Sequence, residues 1–299
     1  MYESFFGFEQ SPFENTPNTE FFFPSERHNE ALAQLVYTVK KKKGFAVLTG
    51  EIGAGKTTLC RRLLRELDED CLTAVVTNPR LTGIQLLYAI AKEFSLDVEG
   101  ANRLEILDRL NEFLIASLAE DKSVVLIIDE AQNLPLRTLE EVRLISNLET
   151  ETEKLIQILL VGQPELRDKL EHSSLVQLKQ RVAMRYHLSA LDKKETTQYI
   201  EHRMAKAGSR HGAKISSRAV SLIYRYSGGV PRLINLVSDR SLLTAFTDDT
   251  MKISSKTVLA AIRGVEGSQW NLRDLKKDGD TGEGRKPFIR LPFFADRTR

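Results

Sequence analysis

The chain has few of the features that build extracellular frameworks or membrane spans. Its 299 residues include two cysteines, Cys60 and Cys71, which cannot form a disulfide framework, and no Cys or His pair has the spacing of metal ligands. No run of about 18 apolar residues occurs, and the acidic N-terminus lacks the basic-then-apolar order of a secretory signal. The sequence therefore predicts a soluble, cytoplasmic protein whose thiols stay reduced.

The chain also has no large excess of positive or negative charge. The formal net charge is +2, which is too small to imply a nucleic-acid partner by itself. Hydrophobic residues make up 41% of the chain and charged residues 28%, as in globular proteins. This length is sufficient to bury one sizeable core and a smaller second one.

A glycine-rich segment follows an apolar run at 45–49 and precedes a helix-like stretch at 58–67. Its glycines let the backbone curl until several amide groups converge on one anion. Lys56 is expected to reach the β- and γ-phosphates of a nucleotide, and Thr57 to place its hydroxyl on Mg²⁺. A plain turn is disfavoured by the strand before and the helix after. The predicted ATP-binding residues of this loop are Gly50, Glu51, Ile52, Gly53, Ala54, Gly55, Lys56, Thr57 and Thr58.

Two carboxylates follow a second apolar run, at 124–128, which is typical of a buried parallel strand. Because parallel sheets bind ligands at the carboxyl ends of their strands, Asp129 is expected to meet the phosphate loop and help hold Mg²⁺ through water. Glu130 is then positioned to polarise the water that attacks the γ-phosphate. This second acid favours hydrolysis over transfer to a metabolite.

The chain divides into regions of different character. Residues 1–27 contain many aromatic and proline residues and are predicted to wrap on the α/β core. Residues 28–190 alternate strands with helices, which predicts a doubly wound α/β domain with a parallel sheet. Residues 191–263 contain no strand-like run and predict a helical lid domain, and residues 264–299 predict a flexible tail. The predicted strands are 45–49, 73–77, 124–128, 156–161 and 184–188.

The chain also resembles a known family through a set of short motifs. They are residues 2–13 (Tyr-Glu-Ser-Phe-Phe-Gly-Phe-Glu-Gln-Ser-Pro-Phe), 16–18 (Thr-Pro-Asn), the phosphate loop, 128–132 (Ile-Asp-Glu-Ala-Gln), 147–149 (Asn-Leu-Glu), 162–166 (Gly-Gln-Pro-Glu-Leu), 180–181 (Gln-Arg) and 229–232 (Gly-Val-Pro-Arg). Together they resemble the P-loop ATPases of the AAA+ type that form the general secretion pathway protein A (ExeA-like) family. The resemblance covers residues 1 to about 263.

The resemblance implies roles for two polar residues at strand ends. Gln163 follows the predicted strand 156–161, where a polar side chain can sense loss of the γ-phosphate; an ordinary loop amide is the alternative. Asn78 follows the strand 73–77, at the position that holds the catalytic Glu inactive in many AAA+ proteins. Since an Asn before a Pro is also a common turn starter, that alternative stays open.

The resemblance also implies roles for arginines outside the phosphate loop. A break at 228–229 and a proline at 231 place Arg232 in the first turn of a helix. A cation there is unfavourable for the helix dipole, but a nearby γ-phosphate would more than offset that penalty. We therefore interpret Arg232 as the lid arginine that reports nucleotide state. Arg181, near the end of a short helix, is the candidate arginine finger, and Arg185 is the alternate. A finger supplied in trans implies a homo-oligomer.

The resemblance implies an ATPase that uses Mg-ATP to remodel or assemble an envelope protein in secretion or pilus biogenesis. Larger relatives continue into a transmembrane segment and a periplasmic peptidoglycan-binding domain, so attachment of this chain to the inner membrane is expected through a partner. Two alternatives stay open: a DNA-binding AAA+ regulator, for which the lysines at 40–43 would offer a patch, and a nucleotide-controlled switch with little turnover.

Overall fold

The computed structural model describes residues 1–16, 18–67, 70–77, 80–151, 153–208 and 213–267. The chain divides into two compact units. One is continuous, Pro24–Ser189, and is called the α/β unit below; the other combines Met1–Phe23 with the chain from Ala190 onward and is called the helical unit.

The strands and helices are numbered in chain order. The helices are α1 (Tyr2–Phe6), α2 (Glu26–Lys40), α3 (Lys56–Glu66), α4 (Gly83–Glu93), α5 (Arg103–Ala119), α6 (Leu136–Ile145), α7 (Pro164–Leu170), α8 (Val176–Arg181), α9 (Lys193–Lys206), α10 (Ser217–Ser227), α11 (Pro231–Thr247) and α12 (Ser255–Glu266). The strands are β1 (Phe45–Gly50), β2 (Cys71–Val76), β3 (Ser123–Ile128), β4 (Gln157–Gly162), β5 (Val182–Leu188), β6 (Lys214–Ile215) and β7 (Lys252–Ile253).

The α/β unit is built on a five-stranded parallel sheet in the order β2, β3, β4, β1, β5. Every residue of β1 and β4 is buried, which explains why these strands are near-continuous apolar runs. Strand β1 pairs with β4 on one side and with β5 on the other, whereas β2, the next strand in the sequence, lies at the far edge of the sheet. Ligands bind parallel sheets at such a switch point, at the carboxyl end of the strand.

Local signals in the sequence set the ends of the flanking helices. Thr82 and Asn102 form capping boxes at the starts of α4 and α5, each satisfying backbone donors of the first helical turn. The apolar faces of these helices pack with strand residues such as Leu126 and Leu160 into one core cluster. This core fixes the edge of the sheet at which the predicted phosphate loop lies.

The structure corrects the predicted position of the N-terminal segment. Residues 1–27 were expected on the α/β core, but Phe6, Phe8 and Phe13 are buried in the helical unit, in a cluster with residues such as Ile234. Arg203 anchors the segment there, since its guanidinium donates to the carbonyls of Pro12 (2.5 Å) and Glu14 (3.1 Å). The aromatic residues are buried, as their number suggested, but against another surface.

The helical unit also contains a short parallel ladder, in which Lys214 and Ile215 of β6 pair with Lys252 and Ile253 of β7. The expectation of no strand in 191–263 was therefore wrong, because two-residue strands leave no periodic pattern. Helix α12 continues to Glu266. Most of the predicted tail, 268–299, lies outside the described residues. Among the residues described, none of the helices is long and apolar enough to span a bilayer.

Candidate nucleotide-binding site

The glycine-rich loop connects β1 to α3. Gly53 (φ 79°) and Gly55 (φ 100°) occupy the left-handed region, which side chains with a Cβ rarely enter. The Nζ of Lys56 donates to the carbonyls of Gly50 (2.7 Å) and Glu51 (3.0 Å), so its ammonium group lies within the loop. Burial lowers the pKa of Lys56, while the carboxylates of the site act in the opposite direction. The loop thus presents a cation and the N-terminus of an 11-residue helix together.

Oxygen atoms suited to a magnesium ion meet beside this loop. The Thr57 hydroxyl, in the first turn of α3, donates to Asp129 Oδ2 at 2.8 Å, just past the end of β3. Mg²⁺ prefers oxygen ligands and takes one or two protein groups together with water and substrate phosphates. Thr57 and Asp129 therefore fit the predicted metal role by their chemistry.

Glu130 occupies a strained position next to Asp129. Its φ of 55° and ψ of 35° lie in the left-handed region, which costs a non-glycine residue on the order of 1–3 kcal/mol. Its amide donates to Asp129 Oδ1 at 2.9 Å. Its carboxylate accepts hydrogen bonds from Gln163 Nε2 (3.1 Å) and from Gln132 Nε2 (2.6 Å). A strained backbone persists only where surrounding contacts stabilise it, and here the hydrogen bonds of Glu130 fix the direction of its carboxylate.

The structure thus brings together five residues that the sequence singled out, Lys56, Thr57, Asp129, Glu130 and Gln163. Gln132 joins them without having been assigned a role. The motif at 128–132 contains Gln132 and was the only sign in the sequence of a role for this residue. Gln132 contacts Gln163, which directly follows β4 and is 31 positions away in the sequence, so only the tertiary structure reveals the contact.

His28, on α2, is a second residue that the sequence did not single out. Its Nδ1 lies 2.7 Å from the Ser25 hydroxyl, and the ring hydrogen-bonds to the backbone of Ala54 in the phosphate loop. Its Nε2 would be 3.1 Å from a Cβ placed on Gly55. Burial lowers the pKa of His28 to about 4. The imidazole is therefore neutral near pH 7 and braces the loop.

Comparisons with known proteins agree with this geometry. A family model described as an AAA domain matches residues 39–170. General secretion pathway protein A of Aeromonas hydrophila is 42% identical over 268 residues. The chain has the AAA+ P-loop NTPase fold. The alignment covers 89% of this AAA+ chain and 49% of the relative, so the chain spans about half the length of that curated protein. The predicted family resemblance is confirmed.

Solved structures share the fold of this AAA+ protein. The ORC2 protein of Aeropyrum pernix, solved in ADPNP–ADP complexes, matches with a TM-score of 0.65 at 18% identity, over 90% of this chain and 74% of that one. Cdc6p of Pyrobaculum aerophilum matches with a TM-score of 0.64 at 21% identity, over 83% and 71%. RuvB of Thermotoga maritima matches with a TM-score of 0.56 at 20% identity, over 85% and 73%. These identities show the fold alone, and the predicted AAA+ fold class is confirmed.

The two candidate fingers of this AAA+ protein have different surroundings. Arg181, half-buried at the end of α8, contacts neutral oxygens of Ser146, the carbonyl at 3.4 Å and the hydroxyl at 3.3 Å. Arg185, on β5, is exposed and donates to the Lys179 carbonyl at 3.0 Å and to a carboxylate oxygen of Glu171 at 3.4 Å. Arg185 is thus already paired with an acid.

Neither Arg232 nor Asn78 is among the described residues of the α/β unit. Arg232 is exposed in the first turn of α11, directly after Pro231, as the sequence predicted, and belongs to the helical unit. Its role as lid arginine stays a prediction. Asn78 lies outside the described residues, so its predicted hold on Glu130 also stays a prediction.

The lysines at 40–43 do not form a patch of one sign. Lys42 Nζ lies 2.7 Å from the Glu153 carboxylate, and Lys154, which lines the same groove, pairs with Glu149. Both lysines and glutamates therefore line this groove. That arrangement weakens the case for a nucleic-acid patch, because an anionic backbone would meet carboxylates as well as ammonium groups.

Proposed function

We propose that this AAA+ protein binds Mg-ATP and hydrolyses it to remodel or assemble a protein partner in secretion or pilus biogenesis. The observation that carries the proposal is the arrangement of Glu130 next to the Thr57–Asp129 pair. The backbone of Glu130 is strained, and its carboxylate accepts two hydrogen bonds. A protein that needs only to bind nucleotide has no use for an oriented second acid. Bound magnesium would neutralise charge on the β- and γ-phosphates.

Each residue of the site has a task in this reaction. Lys56 and the amides of the loop hold the phosphates, and the N-terminus of α3 adds its dipole. The Glu130 carboxylate orients the attacking water and accepts its proton as the bond to phosphorus forms. Gln163, within reach of Glu130, can contact the γ-phosphate and respond to its loss. Phosphoryl transfer depends on such positioning more than on covalent chemistry.

The envelope role is supported by the similarity to general secretion pathway protein A, which covers 89% of this chain. The similarity ends within that relative, of which the chain spans 49%. We therefore assign the ATP-driven step to the aligned part of the chain and propose that its target is a protein partner at the envelope. The resemblance to ORC2 and Cdc6p supports the fold and gives no reason to prefer DNA as the partner.

ATP hydrolysis by purified wild-type protein and Glu130→Gln tests the proposal. The amide keeps the size of the side chain but cannot accept the proton, so we expect kcat to fall by at least about 100-fold while ATP binding is retained. Binding is measured with a fluorescent ATP analogue. Both proteins are assayed with and without duplex DNA at low and high salt.

Three results would contradict the proposal in different ways. Hydrolysis by Glu130→Gln at the wild-type rate would refute the assignment of Glu130. Tight binding without turnover in the wild type, also with candidate partner proteins present, would indicate the switch alternative. Stimulation by DNA that falls steeply with salt would indicate a nucleic-acid partner.

A further inference from the structure

A closed ring of hydrogen bonds joins Glu130 to two glutamines from different elements. Gln132 Nε2 donates to Glu130 Oε2 at 2.6 Å, and Gln163 Nε2 donates to the same oxygen at 3.1 Å. The ring closes where the Gln163 backbone amide donates to Gln132 Oε1 at 3.1 Å. Gln132 therefore touches both the catalytic carboxylate and the end of β4.

The chemistry of the ring permits one orientation of the Gln132 side chain. A carboxylate accepts hydrogen bonds and a backbone amide donates them, so the Gln132 nitrogen must face Glu130 and its oxygen must face Gln163. Rotating the amide by half a turn would oppose two acceptors on one side and two donors on the other. Gln132 is thus fixed in direction as well as in place.

The surroundings of Gln132 are shaped to hold this amide. A Cβ on Gly162 would lie 2.8 Å from Gln132 Oε1 and 2.9 Å from a Leu166 methyl group, so a side chain there would displace the amide. Lys169 Nζ donates to the backbone carbonyls of Gln132 (2.5 Å) and Leu134 (2.8 Å), which ties the turn after Glu130 to α7. The support comes from the backbone of the turn and from the strand end.

We propose that Gln132 is a positioning residue that orients the Glu130 carboxylate for attack on the γ-phosphate, an inference that rests on the proposed ATPase function. Both amides donate to Oε2, which leaves Oε1 to receive the proton of the attacking water. Because Gln163 is also expected to reach the γ-phosphate, Gln132 is the donor that keeps Glu130 aligned when the Gln163 side chain changes partner. The hydrogen bond from the Gln163 backbone amide to Gln132 does not involve the Gln163 side chain, so that change does not require it to break.

Two substitutions separate the donor from the acceptor of this amide. Gln132→Glu keeps an oxygen for the Gln163 amide but replaces the donor with a second carboxylate that repels Glu130. Gln132→Met keeps the length of the side chain and removes both functions. Gln198→Met, an exposed glutamine on α9, is the matched control.

We measure kcat and KM for ATP, the Kd of a non-hydrolysable ATP analogue, the Kd of ADP with fluoroaluminate as a transition-state mimic, and thermal stability. A misplaced catalytic group can cost about 100-fold in rate, so we expect kcat to fall by about that factor in Gln132→Met and further in Gln132→Glu. The Kd of fluoroaluminate–ADP should rise by the same factor by which kcat falls. KM and the Kd of the ATP analogue should stay within about twofold, because ground-state binding does not use Glu130.

The outcomes distinguish the inference from the function on which it rests. Unchanged kcat in both variants of an active protein would overturn the positioning role alone. A fall in kcat that is matched by losses in ATP-analogue binding and thermal stability would also overturn it, since that pattern indicates a structural role. Absence of hydrolysis in the wild type would overturn the proposed function and this inference together.

Discussion

At the scale of single residues, His28 shows how burial determines a charge state. The ring is 6% exposed, and burial lowers its pKa from 6.5 to about 4. Between these values the unfolded chain binds a proton that the folded chain does not, so the free energy of unfolding decreases as the pH falls from about 6.5 to about 4. The full effect of a shift of this size is about 3 kcal/mol.

Replacing His28 by Gln should remove this part of the acid sensitivity. Glutamine cannot take up the proton, so the stability of the variant relative to wild type should improve by about 3 kcal/mol between pH 7 and pH 4. Denaturant unfolding at a series of pH values measures the difference. His172→Gln, at an exposed histidine, is the matched control. A stability difference for His28→Gln that does not change with pH would refute this account.

At the scale of elements, the N-terminal segment behaves as part of the helical unit rather than as a tail. Phe6 is fully buried, and its ring meets that of Phe5 edge to face at 4.9 Å between centroids. The hydroxyl of Tyr2 contacts Ser11 (2.8 Å) and Asp239 of α11. A segment with few regular elements thus supplies several of the largest side chains of this core.

Phe6→Ala should therefore destabilise the helical unit. Truncation of a fully buried phenylalanine costs about 3–5 kcal/mol, from lost burial and the cavity that remains. Faster hydrogen–deuterium exchange in peptides of α9 and α11 would report the loss. Tyr37→Ala, at a tyrosine that is 58% exposed, should change stability by no more than about 0.5 kcal/mol. Unchanged exchange in α11 after Phe6→Ala would contradict the role of the segment.

The sequence predicts those elements that are determined by residues close together in the chain. The phosphate loop was readable because its glycines, Lys56 and Thr57 are consecutive, and the predicted strands differ from the observed ones by at most two residues at either end. The surface that covers the aromatic N-terminus was not readable, because two units offer apolar surfaces and composition does not choose between them. The contacts of Gln132 and His28 join distant parts of the chain, so they required the tertiary structure.

At the scale of the whole molecule, the proposed arginine finger implies that an active site is completed by a second copy of the chain. Arg181→Ala retains Glu130 but lacks the finger, whereas Glu130→Gln retains the finger but lacks the acid. Each variant alone should be nearly inactive, with losses of about 1,000-fold or more for the finger. Mixing the two should restore part of the hydrolysis, because a Glu130→Gln subunit can supply Arg181 to its neighbour.

The mixing experiment is followed by ATP turnover at several ratios of the two variants. Activity that peaks at intermediate ratios supports a finger in trans. A mixture no more active than its components would refute the assignment of Arg181, and the same experiment with Arg185→Ala then tests the alternate. Arg185→Ala alone should retain most activity, since this arginine already pairs with Glu171.

The division of the chain also has a consequence for its synthesis. The α/β unit is one continuous stretch, whereas the helical unit joins Met1–Phe23 to residues that follow Ala190. On a ribosome, the α/β unit is complete and able to fold while the aromatic segment ahead of it still lacks its partners. Residues 1–23 are thus made before the α/β unit but buried only after it, and until α11 emerges they remain an exposed apolar surface that a chaperone can bind.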